Sequence, residues 1–173
     1  MAGWRGRKKA RSDRDDLAGE HPFGDTGQIV LACLFGVVWF ADSVFLEYTT
    51  FLNDLITPAV RIPVAIVVLA ASTYLAMKGL SQVFTEERPE PTVIRKGVFG
   101  VVRHPVYLSE ILLYLGFLMF SVSLAAVVVW VVGIAFLHYL SRYEEKLLLA
   151  RFGEEYKRYM RDVPMWIPWL RRK

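Results

Sequence analysis

From Pro105 to Leu140 the chain runs through 36 positions of almost unbroken apolar sequence. As one straight helix this run would measure about 54 Å at 1.5 Å per residue. A bilayer hydrocarbon core is only about 30 Å thick, so the run must turn back on itself. Ser121-Val122-Ser123 is its polar punctuation in mid-run, and Ser123 can cap the second half of the run. The expectation is a tight helical hairpin: span three over about 105–120 and span four over about 124–140.

Two apolar stretches precede the hairpin. Span one is expected over about 28–52 and carries two acids, Asp42 and Glu47. A charge near mid-span costs roughly 2.5–3.5 kcal/mol on insertion scales. Asp42 must therefore face other helices or water. A hydrogen bond to a Ser or Tyr of another helix is its expected role, with direct ligand binding as the alternative. Glu47 lies near the end of the span and reads as interfacial. Residues 53–58 read as a turn, with Thr57-Pro58 suited to an N-cap and first helical position. Span two comes next, over about 59–83, with Pro63 tolerated in its first turns.

The remaining sequence is polar and charged. Residues 1–27 form a basic tail with poor core-forming power, followed by too long an apolar run for a signal-peptide h-region. The loop from Thr85 to Gly100 contains Pro89, Pro91, Gly97 and Gly100, which oppose a continuous helix. His138, Arg142 and Glu145 share one helical face at i, i+4, i+7, and the helix is expected to project into water beyond Leu140 as far as Gly153. Tyr156, Tyr159, Met160 and Val163 then give a short amphipathic segment. Trp166, Ile167 and Trp169 read as interfacial anchors.

With 54% hydrophobic residues in 173, the chain exceeds the usual soluble share. The expected class is all-α, an integral membrane bundle of four transmembrane helices with a cytoplasmic C-terminal helical extension. The tail is residues 1–27 and the membrane domain residues 28–173. Of the 21 Lys and Arg, only Arg61 falls at the loop between spans one and two. Four spans gather the other basic regions on one side, which the positive-inside rule makes the cytoplasm. Both termini are then cytoplasmic in a multi-pass protein of a bacterial inner membrane or its equivalent. The net charge of +4 next to such runs points to anionic lipid headgroups, not nucleic acid. One cysteine, Cys33, excludes an internal disulfide and a Cys-rich metal site. His21, His104 and His138 show no metal-ligand spacing, and no metal is expected.

Two places carry chemistry. Arg103-His104-Pro105-Val106-Tyr107 sits where a basic loop enters span three, with Pro105 suited to the first helical position. Glu144-Glu145 lies beyond the far end of span four, on the same side of the membrane. Arg103 can hold a carboxylate, His104 and Tyr107 can hydrogen-bond, and an acid can hold an ammonium, which together suit an α-amino acid headgroup. Adjacent helical residues point about 100° apart, so Glu144 and Glu145 are expected to differ in role. On residues alone, a plain pairing of Arg103 and Glu145 with interfacial neighbours stands beside the binding-site reading.

From about Val93 to Leu170 the chain resembles the isoprenylcysteine carboxyl methyltransferase and phospholipid methyltransferase family of integral membrane enzymes. The matching residues are Gly97-Val98-Phe99, Arg103-His104-Pro105-Val106-Tyr107, Arg142-Tyr143-Glu144-Glu145, Leu148, Phe152-Gly153, Tyr156, Tyr159, Val163-Pro164 and Pro168. The resemblance implies S-adenosylmethionine, with His104, Tyr107, Glu144 and Glu145 in its site and Arg103 at its carboxylate or at the reaction centre. It implies in-line transfer of a methyl group to a lipid-like or small hydrophobic acceptor, by carboxylate, amine or thiol. An amine acceptor needs a base, for which Glu110, His104 and Glu145 are candidates. Ser109-Glu110 departs from the family pattern, where a small glycine often comes after the motif tyrosine. Three alternatives remain. A small transporter would use Asp42, Glu47 and Glu110 as an ion path. A nicotinamide-dependent membrane reductase would lack its Gly-rich fingerprint here. A non-catalytic scaffold of the same family is the third.

Overall fold

The structure, a computed structural model, describes residues 23–84 and 92–168. Residues 1–22, Arg88, Pro89, Pro91, Trp169 and the terminal basic run lie outside the described residues. Five α-helices make up the described part: α1 Gly24–Ala41, α2 Pro58–Phe84, α3 Pro105–Phe120, α4 Leu124–Phe152 and α5 Glu154–Asp162. Three stretches are long and apolar enough to cross a membrane: Gly24–Leu46, Pro58–Val83 and Leu124–Phe152. At 16 residues, α3 spans only about 24 Å, so it is a short partner within the bundle. The outward faces of the long helices carry exposed apolar side chains such as Val37 (68%) and Val67 (68%). Water would penalise that surface and lipid does not.

The hairpin forms where polar residues interrupt the apolar run. Ser121 and Ser123 take extended backbone at the junction of α3 and α4. The Ser123 hydroxyl accepts the Ala126 N–H at 3.1 Å, capping α4. The loop between α1 and α2 pins this turn from outside. Asn53 Oδ1 accepts the Val122 N–H at 2.8 Å, and the Thr49 hydroxyl accepts the Ala125 N–H at 3.1 Å. Arg61 is buried in the first turn of α2 and donates to Asn53 Oδ1 and to the Phe120 and Ile56 carbonyls.

Span one ends earlier than its composition suggests. Regular helix stops at Ala41, a π-turn covers Asp42–Leu46, and Glu47 adopts φ 53°. The cause is Asp42, which is buried and accepts both the backbone N–H and the hydroxyl of Thr49. Those two bonds fold the chain back at residues where an uninterrupted helix was expected. The partners of Asp42 are a threonine seven residues on and Ser123 at the N-cap of α4, so the expected bond to a serine of another helix is joined by one within the loop. The Thr49 hydroxyl also lies 3.5 Å from Ser123 Oγ.

Close packing of α2 on α3 depends on small residues. Ala65, Ser72 and Gly79 recur every seven positions on α2, and all three are buried. A methyl group at Gly79 would lie 2.9 Å from Val106 Cγ2, and one at Gly116 would strike Leu69. The Ser72 hydroxyl donates to the Ser109 carbonyl at 2.7 Å, while the Ser109 hydroxyl satisfies itself on the Val106 carbonyl at 2.6 Å. Serine at 109 thus keeps the approach that a glycine would allow. α1 packs against the hairpin through Leu31, Phe35, Tyr114, Leu118 and Ala126.

Beyond the apolar part, α4 continues unbroken to Phe152, and Gly153 at φ 53° ends it. The amphipathic segment is α5. It buries Tyr156, Tyr159 and Val163 against Val93, Leu148, Leu149 and Phe152. The Tyr159 hydroxyl donates to the Phe99 carbonyl at 2.7 Å, which fixes the loop before α3.

Candidate functional site

Pro105 opens α3 as expected, and His104 is its N-cap residue. The backbone just before it is paired with the C-terminal segment. Arg103 N–H donates to the Pro164 carbonyl at 3.0 Å, and His104 N–H donates to that of Met165 at 3.3 Å. The segment after α5 is therefore laid directly beside the mouth of α3.

The Arg103 side chain completes the junction. Its Nε donates to Glu145 Oε1 at 2.8 Å and its Nη2 lies 2.7 Å from the same oxygen. Nη1 donates to the carbonyls of Met160 at 2.9 Å and Val163 at 2.6 Å. One guanidinium thus joins α3, α4 and the end of α5. Arg142 approaches the other carboxylate oxygen of Glu145 at 3.3 Å.

The two acids differ as their positions on α4 require. Glu145 is 2% exposed and paired with Arg103. Glu144 is 23% exposed and accepts the Tyr107 hydroxyl. The His104 ring stacks on Tyr107, with centroids 5.7 Å apart and planes 9° from parallel. Its Nδ1 lies 3.6 Å from Glu144 Oε2 and its Nε2 lies 3.4 Å from Glu145 Oε1. Neither distance is a hydrogen bond by geometry, and the buried Nε2 has no hydrogen-bond partner. Burial works to lower the His104 pKa, but the flanking carboxylates outweigh it and the net direction is upward.

The structure thus brings Arg103, His104, Tyr107, Glu144 and Glu145 together at one end of α3 and α4. Glu110 points elsewhere along α3, where its carboxylate accepts the Tyr114 hydroxyl at 2.5 Å. Tyr114 in turn stacks on Phe35 of α1 at 4.5 Å. His138 shares a helical face with Arg142 but lies exposed, its ring perpendicular to that of Trp166 at 5.6 Å.

Sequence reasoning missed the C-terminal carbonyls and Trp166 as parts of this place. Trp166 packs on the buried cluster of Tyr107, Ile111, Leu137 and Leu140. The signal in the sequence was the Pro164-Met165-Trp166-Ile167-Pro168 run, which read only as an interfacial anchor.

A family model described as phospholipid methyltransferase matches residues 55–155. That is more than half of the chain and includes α2, α3 and all of α4. The chain belongs to the phospholipid methyltransferase family. The family match reaches further upstream than the motif resemblance, taking in span two. It ends before Tyr156, so all of α5 after its first two residues, and the segment over the α3 mouth, lie beyond it. Membership in the phospholipid methyltransferase family makes this a membrane protein of methyltransferase type, with lipid as the substrate class of the family. No curated protein and no solved structure matches the chain.

Proposed function

We propose that the chain is an S-adenosylmethionine-dependent methyltransferase acting on a lipid-like or small hydrophobic acceptor at the cytoplasmic face of a membrane. In this reading α3 is a fourth, short span, and both termini are cytoplasmic, as the distribution of Lys and Arg requires. The observation that carries the reading is the meeting of His104 and Tyr107 with Glu144.

The residues fit the zwitterionic end of the cofactor. His104 Nε2 is buried without a hydrogen-bond partner and can donate to a carboxylate oxygen. Glu144 is the more open of the two acids and can accept from an ammonium. The stacked His104 and Tyr107 rings form a flat wall between them. S-adenosylmethionine, when bound, supplies an electrophilic methyl group on a positively charged sulfur.

Arg103 and Glu145 have a different task. All the Arg103 contacts described above go to protein oxygens, so the pair holds the C-terminal segment across the mouth and keeps water out. Arg103 is then a positioning residue and not the partner of the cofactor carboxylate. An amine acceptor would need a base, for which Glu110, His104 and Glu145 are the candidates; Glu110 lies apart from the other two, on the Tyr114 hydroxyl.

Incubation of membranes containing the chain with isotopically labelled S-adenosylmethionine tests the function. Label is expected in a lipid or small-thiol fraction and is expected to disappear with Glu144→Gln. Unlabelled fractions from a folded, membrane-inserted parent protein would contradict it.

A further inference from the structure

Among the described residues, two buried side-chain nitrogens have no hydrogen-bond partner: His104 Nε2 and Trp166 Nε1. A backbone bond joins the places where they stand. The His104 N–H donates to the carbonyl of Met165, the residue before Trp166, at 3.3 Å. Arg103 holds the same segment, with its own N–H on the Pro164 carbonyl and its guanidinium on those of Met160 and Val163. Trp166 lies beyond the stretch that the family model matches, and the cofactor residues named above do not include it.

The surroundings of Trp166 leave its N–H unserved. The ring packs on the cluster of Tyr107, Ile111, Leu137 and Leu140 and meets His138 at 5.6 Å. Three of the cluster side chains are hydrocarbon, and the Tyr107 hydroxyl is donated to Glu144. Indole N–H is a donor only, and a buried donor left unpaired is unfavourable. A tryptophan that merely anchors a chain at the membrane surface keeps its N–H at the wet end, whereas this one is buried. Tyr107 is common ground: His104 stacks on its ring, and Trp166 packs on the cluster to which it belongs.

We infer that Trp166 is a further residue of the cofactor site, and that its indole N–H and His104 Nε2 together take the two carboxylate oxygens of the cofactor's amino acid end. The inference rests on the cofactor reading given above and adds a residue to it. Two donors without partners and one ligand group with two acceptor oxygens match in number and in sign. Glu144, on the Tyr107 hydroxyl, remains for the ammonium. The Arg103–Glu145 pair then has a second consequence. By fixing the backbone as far as Met165, it sets Trp166 beside the His104–Tyr107 stack, so the segment across the mouth is a wall of the binding site as well as its cover.

The test uses the full chain, ¹⁵N-labelled, in a non-ionic detergent, with two probes. S-adenosylhomocysteine carries the amino acid end; methylthioadenosine carries the nucleoside and the thioether without it. The Trp166 indole resonance is identified by its loss in Trp166→Phe, which keeps an aromatic ring in the cluster and removes the N–H. S-adenosylhomocysteine is expected to move that resonance downfield, as an N–H gaining an acceptor does, and methylthioadenosine to leave it in place. By calorimetry, Trp166→Phe is expected to weaken S-adenosylhomocysteine about tenfold, the loss typical of a hydrogen bond to a charged group, and to leave the affinity for methylthioadenosine unchanged. A still resonance or an equal shift with methylthioadenosine overturns the role of Trp166, and both are read on the parent protein, whatever the folding of the variant. Equal weakening of both probes by Trp166→Phe makes Trp166 a packing residue and overturns it too. If the parent protein binds S-adenosylhomocysteine and His104→Ala weakens it while the Trp166 resonance stays still, the inference alone falls. If the parent protein does not bind S-adenosylhomocysteine, the cofactor reading falls and takes the inference with it.

Discussion

Arg103 and Glu145 form a buried ion pair across the α3–α4 hairpin, with guanidinium nitrogens 2.7 and 2.8 Å from one carboxylate oxygen. The same guanidinium holds the backbone after α5 through Met160 and Val163. Removing one member of such a pair leaves an uncompensated buried charge, which costs about 3–5 kcal/mol. Arg103→Ala is therefore expected to lower the unfolding midpoint in detergent sharply and to expose residues 160–166 to protease. Arg103→Ala with Glu145→Gln together should recover part of the loss. Additive losses in that double-variant cycle would show that the two residues are not coupled.

The His104 pKa supplies a pH signature. Burial lowers it, the carboxylates of Glu144 and Glu145 raise it more, and the folded-state value lies above the unfolded value of about 6.5. Folding thus favours the protonated ring. The stabilisation is complete below the unfolded pKa and is lost as pH rises through the folded one. Thermal unfolding should show stability falling over that window. His104→Gln should flatten the fall, and an unchanged slope in that variant would place the titration elsewhere.

Asp42 is expected to be structural. Asp42→Asn keeps an acceptor for the Thr49 N–H and loses one charged hydrogen bond, a net cost of about 1 kcal/mol. The variant should keep methyl transfer and cofactor affinity with a slightly lower unfolding midpoint. A folded variant that binds cofactor normally but transfers nothing would show a direct role for the acid.

Ser109 tests the seam between α2 and α3. Its side chain is buried where Ser72 bonds to its carbonyl. Ser109→Gly should be tolerated, losing only the local hydroxyl contact and some helix propensity. Ser109→Leu overpacks the seam and should cost about 1–3 kcal/mol. Equal midpoints for the two variants would mean that the helices do not approach closely there.

The hairpin, the cap at Ser123, the start of α2 at Pro58 and the stop at Gly153 were legible in the sequence because each is a local signal. A polar residue interrupts an apolar run, or a proline or glycine takes a position that its backbone suits. The early end of span one was not legible, since the bond from Asp42 to Thr49 competes with helix that composition alone favours. The Arg103–Glu145 pair was legible as one of two readings, but the other partners of Arg103 were not. Its partners at Met160 and Val163 are carbonyls, present at every residue, and only the fold brings those two across the mouth of α3. The residues alone left Arg103 open between a ligand and a pairing with Glu145, and the structure shows the pairing.

The central claim is that His104 and Glu144 hold the cofactor while Arg103 and Glu145 hold the fold. Calorimetry with S-adenosylhomocysteine on purified parent, His104→Ala and Glu144→Gln proteins tests it most directly. The loss of one charged hydrogen bond, worth about 1.5–3 kcal/mol, corresponds to roughly ten- to hundred-fold in affinity. The account predicts that each variant stays folded and loses affinity in that range. Parent-like binding by both folded variants would contradict it.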